Sequence, residues 1–224
     1  MDYLINQYEI SYYFSASTLN DISQNKNDYN KNFAGFAPVF SNDSETKKNI
    51  ALVIDTTIIR SINVEGKDYA SLPETEHEIR KISELFQNKN IPSKMFLNSS
   101  ANEKAIKSSS MKNYEIVHIA SHGFLNEKSP KLTGILFWND KNDPNEDGVL
   151  YSGEIYNLTL NAELLVLSAC ETGLGKIVRG EGLIGLTRGF TYAGAENILV
   201  SLWQVADKST SELMIEFYRN ILLG

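Results

Sequence analysis

Two stretches of this chain end in residues suited to nucleophilic and acid–base chemistry. In Ala162-Glu163-Leu164-Leu165-Val166-Leu167-Ser168-Ala169-Cys170-Glu171-Thr172-Gly173, four consecutive apolar residues lead to the sole cysteine of the chain and then to a glycine-containing loop. Tyr114-Glu115-Ile116-Val117-His118-Ile119-Ala120-Ser121-His122-Gly123 has the same form and ends in histidine. A short apolar run bounded by turn residues reads as a buried strand, and α/β proteins place their chemistry just beyond the ends of such strands. A thiol that attacks an amide carbonyl needs a base or ion-pair partner and two donors aimed at the developing oxyanion. Cys170 offers the thiolate. His122 offers an imidazole whose ordinary pKa of ~6.5 suits it to give and take protons near neutrality. The spacing predicts that the backbone N–H groups of Gly123 and Cys170 lie at turns, free of the sheet ladder, and serve as the oxyanion donors. The bland account of a lone cysteine is a small buried hydrophobe. Its place between an apolar run and Glu171-Thr172-Gly173, together with the matching His122-Gly123, argues for a site.

The elements that must position these residues follow from the pattern. Pro73 to Asn88 sets Ile79, Ile82, Leu85 and Phe86 at helical spacing, with Pro73 in the first turn and Glu74, Glu76 and Glu78 near the positive end of the helix. Strands are expected at Ile50–Ile59, Ser93–Leu97, Tyr114–Ser121, Leu164–Leu167 and Asn197–Trp203. Helices are expected at Asn102–Met111, Glu181–Ala193 and Thr210–Leu222. Gly134–Trp138 and Val149–Tyr151 read as a hairpin around a polar turn. Upstream, Tyr3–Phe14 alternates like a half-buried strand, a short helix follows from Ser17 to about Gln24, and Asn25 to Asn49 reads as a polar surface loop with little fixed structure. Residues 1–49 are thus an N-terminal strand, helix and loop extension of the same domain, and the core starts at residue 50. Strands alternating with helices imply a mostly parallel sheet with helices on both faces.

Composition bounds the function. The 224 residues are 42% hydrophobic and 22% charged, as in an ordinary globular domain. A net charge of -7 and a pI near 5.1 argue against a broad nucleic-acid or anionic-membrane surface. No apolar run reaches the length of a membrane-spanning helix, and Met1-Asp2-Tyr3-Leu4-Ile5-Asn6 is not a basic leader. A single cysteine forms no internal disulfide, which fits a reducing cytoplasmic compartment.

The segments Ser121-His122-Gly123, Ser168-Ala169-Cys170-Glu171-Thr172-Gly173-Leu174-Gly175 and Arg179-Gly180-Glu181-Gly182-Leu183-Ile184-Gly185-Leu186-Thr187-Arg188-Gly189-Phe190, with Val200-Ser201-Leu202-Trp203-Gln204-Val205-Ala206-Asp207, resemble the CHAT domain, a caspase-like branch of the cysteine peptidases that includes separase. The resemblance spans essentially the whole chain and is weakest before residue 50. It implies a caspase-like three-layer α/β sandwich, a His122–Cys170 dyad, an oxyanion hole of Gly123 and Cys170, a protein or peptide substrate, and no metal or organic cofactor. It also implies a tetratricopeptide-repeat region, attached or as a partner, and leading and trailing elements beyond a trimmed piece. In such folds the segments after the cysteine and after the next strand shape the pocket before the cut. Glu171, Trp203 and Asp207 are the candidates here, and either acid would favour a basic residue. Trp203 has a core reading as well, and Asp207 a helix N-cap reading. The glycine-rich stretch from Thr172 to Gly182 reads as a loop over the site or a plain connector.

Other signals are weaker. Asp143, Asn145, Asp147, Gly148 and Glu154 satisfy the EF-hand calcium-loop pattern, but the flanks read as strands where that loop needs helices, so a hairpin turn is favoured over a Ca²⁺ site. His118 and His122 lie about 13 Å apart along a strand at ~3.3 Å per residue, too far to share a metal, and His118 reads as a packed core histidine. His77 reads as solvated. Gly175-Lys176 lacks the rest of a phosphate-binding loop, and Ser168 lacks the Gly-x-Ser-x-Gly setting of a nucleophile. Besides the endopeptidase, two readings remain: a catalytically silent interaction module, and a thiol hydrolase acting on a small amide.

Overall fold

A computed structural model describes residues 32–38, 72–124, 129–140, 143–171, 181–200 and 207–223. Within them the order is β1 (Phe33–Ala37), α1 (Pro73–Asn88), β2 (Ser93–Leu97), α2 (Glu103–Ile106), β3 (Ile116–Phe124), β4 (Gly134–Leu136), β5 (Val149–Tyr151), α3 (Ser152–Ile155), β6 (Ala162–Glu171), α4 (Glu181–Tyr192), β7 (Ala195–Val200) and α5 (Asp207–Leu223), with short 3-10 turns between. Five strands pair in parallel in the order β2-β1-β3-β6-β7, and β4 and β5 add antiparallel to the end of β3.

The helix expected at Pro73–Asn88 has those bounds, with proline in its first turn and Glu74 and Glu76 beside it. It buries Ile79, Ile82 and Phe86 completely. It ends because Asn90 takes a left-handed φ of 58°, which lets the Ile91 N–H reach back to the Phe86 carbonyl at 3.0 Å. Pro92 then prevents continuation. The expected helix at Asn102–Met111 is broken instead. Asn102 caps the one-turn α2 by accepting from the Ala105 N–H at 3.0 Å, and Ser108 opens a separate 3-10 turn over Ser109–Asn113. A Ser108-Ser109-Ser110 run competes with helical bonding through its hydroxyls, and the Ser108 hydroxyl accepts from the Ser110 N–H.

A further expectation is overturned. Phe33-Ala34-Gly35-Phe36-Ala37, inside the stretch read as a polar loop, is a strand with all five residues buried, paired with β2 on one side and β3 on the other. The structured core therefore includes residues well before 50. Asn32 precedes the five residues and Pro38 closes them, inside a stretch rich in Asn, Ser and Lys that reads as loop, although a strand covered on both faces carries just such an apolar pattern. Gly35 is required there, because a Cβ at this position would stand 2.7 Å from the Ile79 side chain and 2.8 Å from the Phe33 ring. The strands expected at Tyr3–Phe14 and Ile50–Ile59 and the helix at Ser17–Gln24 lie outside the described residues.

The two faces of the sheet carry different cores. On one, Phe33, Ala37, Ile116, Ala120 and Val166 pack against Ile79, Ile82 and Phe86 of α1 and Met214 and Tyr218 of α5. On the other, Phe36, Val117, Ile119, Leu165 and Leu167 meet Ile106 of α2 and Leu186 and Phe190 of α4. Alternate residues of β3 and β6 divide between the two clusters, as period-2 geometry requires. The result is the three-layer α/β sandwich expected from the alternating strands and helices.

Candidate active site

Both strands of the candidate site run further than the sequence suggests. β3 continues through His122 and Gly123 to Phe124, and β6 through Cys170 to Glu171. Gly123 and Cys170 therefore lie inside strands and not at turns. The physical reason is the hairpin: β6 already occupies one flank of β3 as far as Gly123, and β4 pairs Gly123 with Ile135 and Phe124 with Gly134 on the other, beyond the end of β1. Ser121 adds a buried tie, its hydroxyl donating to the Leu136 carbonyl at 2.5 Å.

Within the β3–β6 ladder His122 is the register partner of Cys170, and Gly123 of Glu171. Neighbouring strands lie ~4.8 Å apart, so the ladder makes positions 122 and 170 immediate neighbours. His122 continues the alternation that sends Ile116 and Ala120 of β3 to the face covered by α1 and α5. His122 is buried, with 1% exposure. Pairing of β6 with β7 ends at Leu167–Val200 in the described residues, so the site sits at the C-terminal edge of the parallel sheet. Of the pocket candidates, Glu171 is the last residue of β6 and Asp207 the first helical residue of α5, one position inside the cap expected for it. Trp203 and most of the glycine-rich loop lie outside the described residues.

Lower on the same face is a buried polar network only partly legible beforehand. His118 is fully buried, as expected of a core histidine, and its Nδ1 stands 3.1 Å from the Tyr218 hydroxyl of α5. Its Nε2 lies 2.8 Å from Oε1 of Glu78, an ion-pair distance without the alignment of a directed hydrogen bond. Glu78 is itself 1% exposed. The carboxyl read as favouring the helix start thus turns into the core, one place before Ile79, a spacing that in hindsight belongs to the apolar stripe. Burial, reinforced by the Glu78 charge, holds the Tyr218 phenol well above its usual range. His77 is exposed, as expected.

The EF-hand-like segment folds differently from a calcium loop. Residues 143–154 take in the turn after β4, strand β5 and the start of α3 in place of a loop between two helices, and the nearby carboxylates surround a cation of the protein's own. Glu103, Glu146 and Glu154 bring oxygens within 4.8 Å of one another, and the Lys107 ammonium bonds all three, at 2.8 Å to Glu103 and to Glu154. Glu103 also accepts from the Gly148 and Val149 N–H groups at 2.5 and 3.1 Å, pinning the hairpin to α2. Burial raises the Glu103 carboxyl to about 7, although Lys107 and the Gly148 N–H oppose the shift. The Lys107 ammonium keeps its proton well beyond the ordinary lysine range, since its hydrogen bonds to Glu103, Glu146 and Glu154 outweigh the larger opposing effect of desolvation.

A CHAT domain model matches residues 1–224. The chain belongs to the CHAT domain family. Among curated proteins, this CHAT domain is similar to tetratricopeptide repeat protein 28 of Mus musculus and of Homo sapiens, 33% identical to each over 81 residues. That match covers 36% of this chain and 3% of each relative, so the chain spans a small part of the proteins it matches. Among solved structures, a flavodoxin of Streptococcus pneumonia TIGR4 aligns with 84% of this chain and 94% of its own, at 11% identity and a TM-score of 0.41. No described helix is long and apolar enough to cross a membrane.

Proposed function

We propose that this CHAT domain is a caspase-like cysteine endopeptidase in which His122 and Cys170 form the catalytic dyad. The observation that carries the reading is the register pairing of these two residues at the C-terminal edge of the sheet, on adjacent parallel strands. The Cys170 thiolate attacks the peptide carbonyl carbon, forming the S–C bond as the carbonyl electrons move to oxygen. The amides of Gly123 and Cys170, each the next-to-last residue of its strand, hold that oxyanion. As the tetrahedral species collapses, the C–N bond breaks and His122 gives its proton to the leaving amine. His122 then takes a proton from water, which attacks the thioester and releases the acid and the thiolate. The chemistry calls for no metal or organic cofactor. Glu171, Trp203 and Asp207 are the residues assigned to the pocket before the cut, and an acid there would favour a basic residue. A tetratricopeptide-repeat region, attached or separate, regulates access in the cytoplasm; the named relatives support that partner.

The test is cleavage of a peptide library by the full-length protein, as wild type, Cys170→Ala and His122→Ala, with and without a repeat partner. Each substitution is expected to lower turnover by a factor on the order of 10³ or more. Cleavage that survives both sinks the mechanism. Absence of cleavage from every form, partner included, selects the second reading, a silent interaction module.

A further inference from the structure

Ser211, in the second turn of α5, is 1% exposed, and its hydroxyl has no hydrogen-bond partner among the described residues. A buried, unpaired hydroxyl carries a desolvation cost with no return in the resting fold. Its surroundings are defined by the helix. Ser211, Met214 and Tyr218 are spaced three and four apart and all buried, so they form the stripe that α5 turns to the sheet. The Tyr218 hydroxyl at His118 fixes the depth of that stripe on β3.

α5 is entered from the C-terminal edge of the sheet, after β7, and runs back against the strand direction, as α1 does with Ile79 over Gly35 and Phe86 over Phe33. From Tyr218 to Ser211 the helix climbs about 10 Å at ~1.5 Å per residue. From His118 to His122 the strand climbs about 13 Å at ~3.3 Å per residue. A tyrosine side chain leans toward the N-terminus of its helix, which lowers Ser211 slightly relative to its ring. On these rises Ser211 falls at the level of Ala120 to His122 along β3. The rungs there are Ala120 with Ser168, both small, and then His122 with Cys170.

Resting on the dyad reading, we propose that Ser211 is a positioning residue of the active centre, its hydroxyl accepting an imidazole N–H of His122 when the ring carries its second proton. The hydroxyl stands unpaired among the described residues because its partner is the charged ring, which exists while the thiolate–imidazolium pair is formed. A serine rotor turns among staggered wells at little cost, so the bond needs no backbone movement. Among the described residues, the ionisable groups brought to this face are His122 and His118 from β3, Glu78 from α1 and Tyr218 from α5, with Asp207 and Lys208 heading α5.

The sole cysteine makes the test direct, because iodoacetamide labelling of the full chain, read as intact mass between pH 5 and 9, reports Cys170 alone. Ser211→Ala is expected to raise the labelling midpoint by about one pH unit. Ser211→Thr restores it. The thermal midpoint of Ser211→Ala equals or exceeds that of the wild type, since the change removes an unpaired group. In a His122→Ala background, Ser211→Ala has no further effect. The proposal is overturned by an unchanged labelling profile, by an equal shift in the His122→Ala background, or by a lowered thermal midpoint, which would mark an ordinary structural hydroxyl. A profile insensitive to His122→Ala overturns the dyad and leaves the cleavage assay to decide the function separately.

Discussion

Glu78, His118 and Tyr218 bring a carboxyl, an imidazole and a phenol into the buried core, and their mutual contacts are what make that burial tolerable. Removing one partner strands the others: Glu78→Leu leaves His118 facing a hydrocarbon. Gly35 acts by the opposite route, through the absence of a side chain. Gly35→Ala pushes a methyl into Ile79 and the Phe33 ring, so α1 must lift from the sheet. The expected loss is about 1–3 kcal/mol in urea denaturation. An unchanged midpoint would show that α1 is not held at that distance. His122 and Cys170 belong to this scale too, and their residue types, a nucleophile and a general acid–base group, were legible from sequence. That they are ladder partners was not, because register depends on two segments some fifty residues apart.

At the scale of elements, the β4–β5 hairpin is the piece that the sequence describes correctly as a turn but cannot anchor. Lys107 anchors it, joining α2, the hairpin turn and α3 through three carboxylates. Lys107→Met leaves Glu103, 1% exposed, without its cation, and is expected to cost about 3–5 kcal/mol. Because β4 continues the ladder of β3 beside His122, that loss should also reduce turnover in the cleavage assay.

Glu103 adds a pH dependence of definite sign. Its carboxyl sits near 7 in the fold against 4.5 as its reference, so the folded state holds a proton that the unfolded state has released. That contribution is fully present below about pH 4.5 and is lost as pH rises through 7. Each tenfold change in proton affinity is worth about 1.4 kcal/mol, which sets the loss at about 3 kcal/mol. Glu103→Gln is expected to flatten the decline between pH 5 and 8 in thermal melts, whereas an unaltered slope would assign it to other groups. The carboxylate pattern around residues 143–154 was visible in sequence. The lysine at its centre was not, since Lys107 lies 39 residues from Glu146.

For the whole molecule, one sheet supports two helix layers, and both cores share its strands. Phe86, on the α1 side, and Phe190, on the α4 side, are each fully buried. Phe86→Ala and Phe190→Ala should each remove about 3–5 kcal/mol from a single unfolding transition. Calorimetry resolving two transitions, each sensitive to one substitution, would contradict that coupling. Local periodicity and turn chemistry encode the alternation of strands and helices, the Pro73–Asn88 helix, the hairpin, and the two runs that carry histidine and cysteine, so these were legible beforehand. Tertiary structure alone decided that Phe33–Ala37 is the strand between β2 and β3, that β3 and β6 extend through Gly123 and Cys170, and that His122 stands beside Cys170. Each of these depends on a partner strand that supplies backbone hydrogen bonds from far along the chain, and no local window contains that partner.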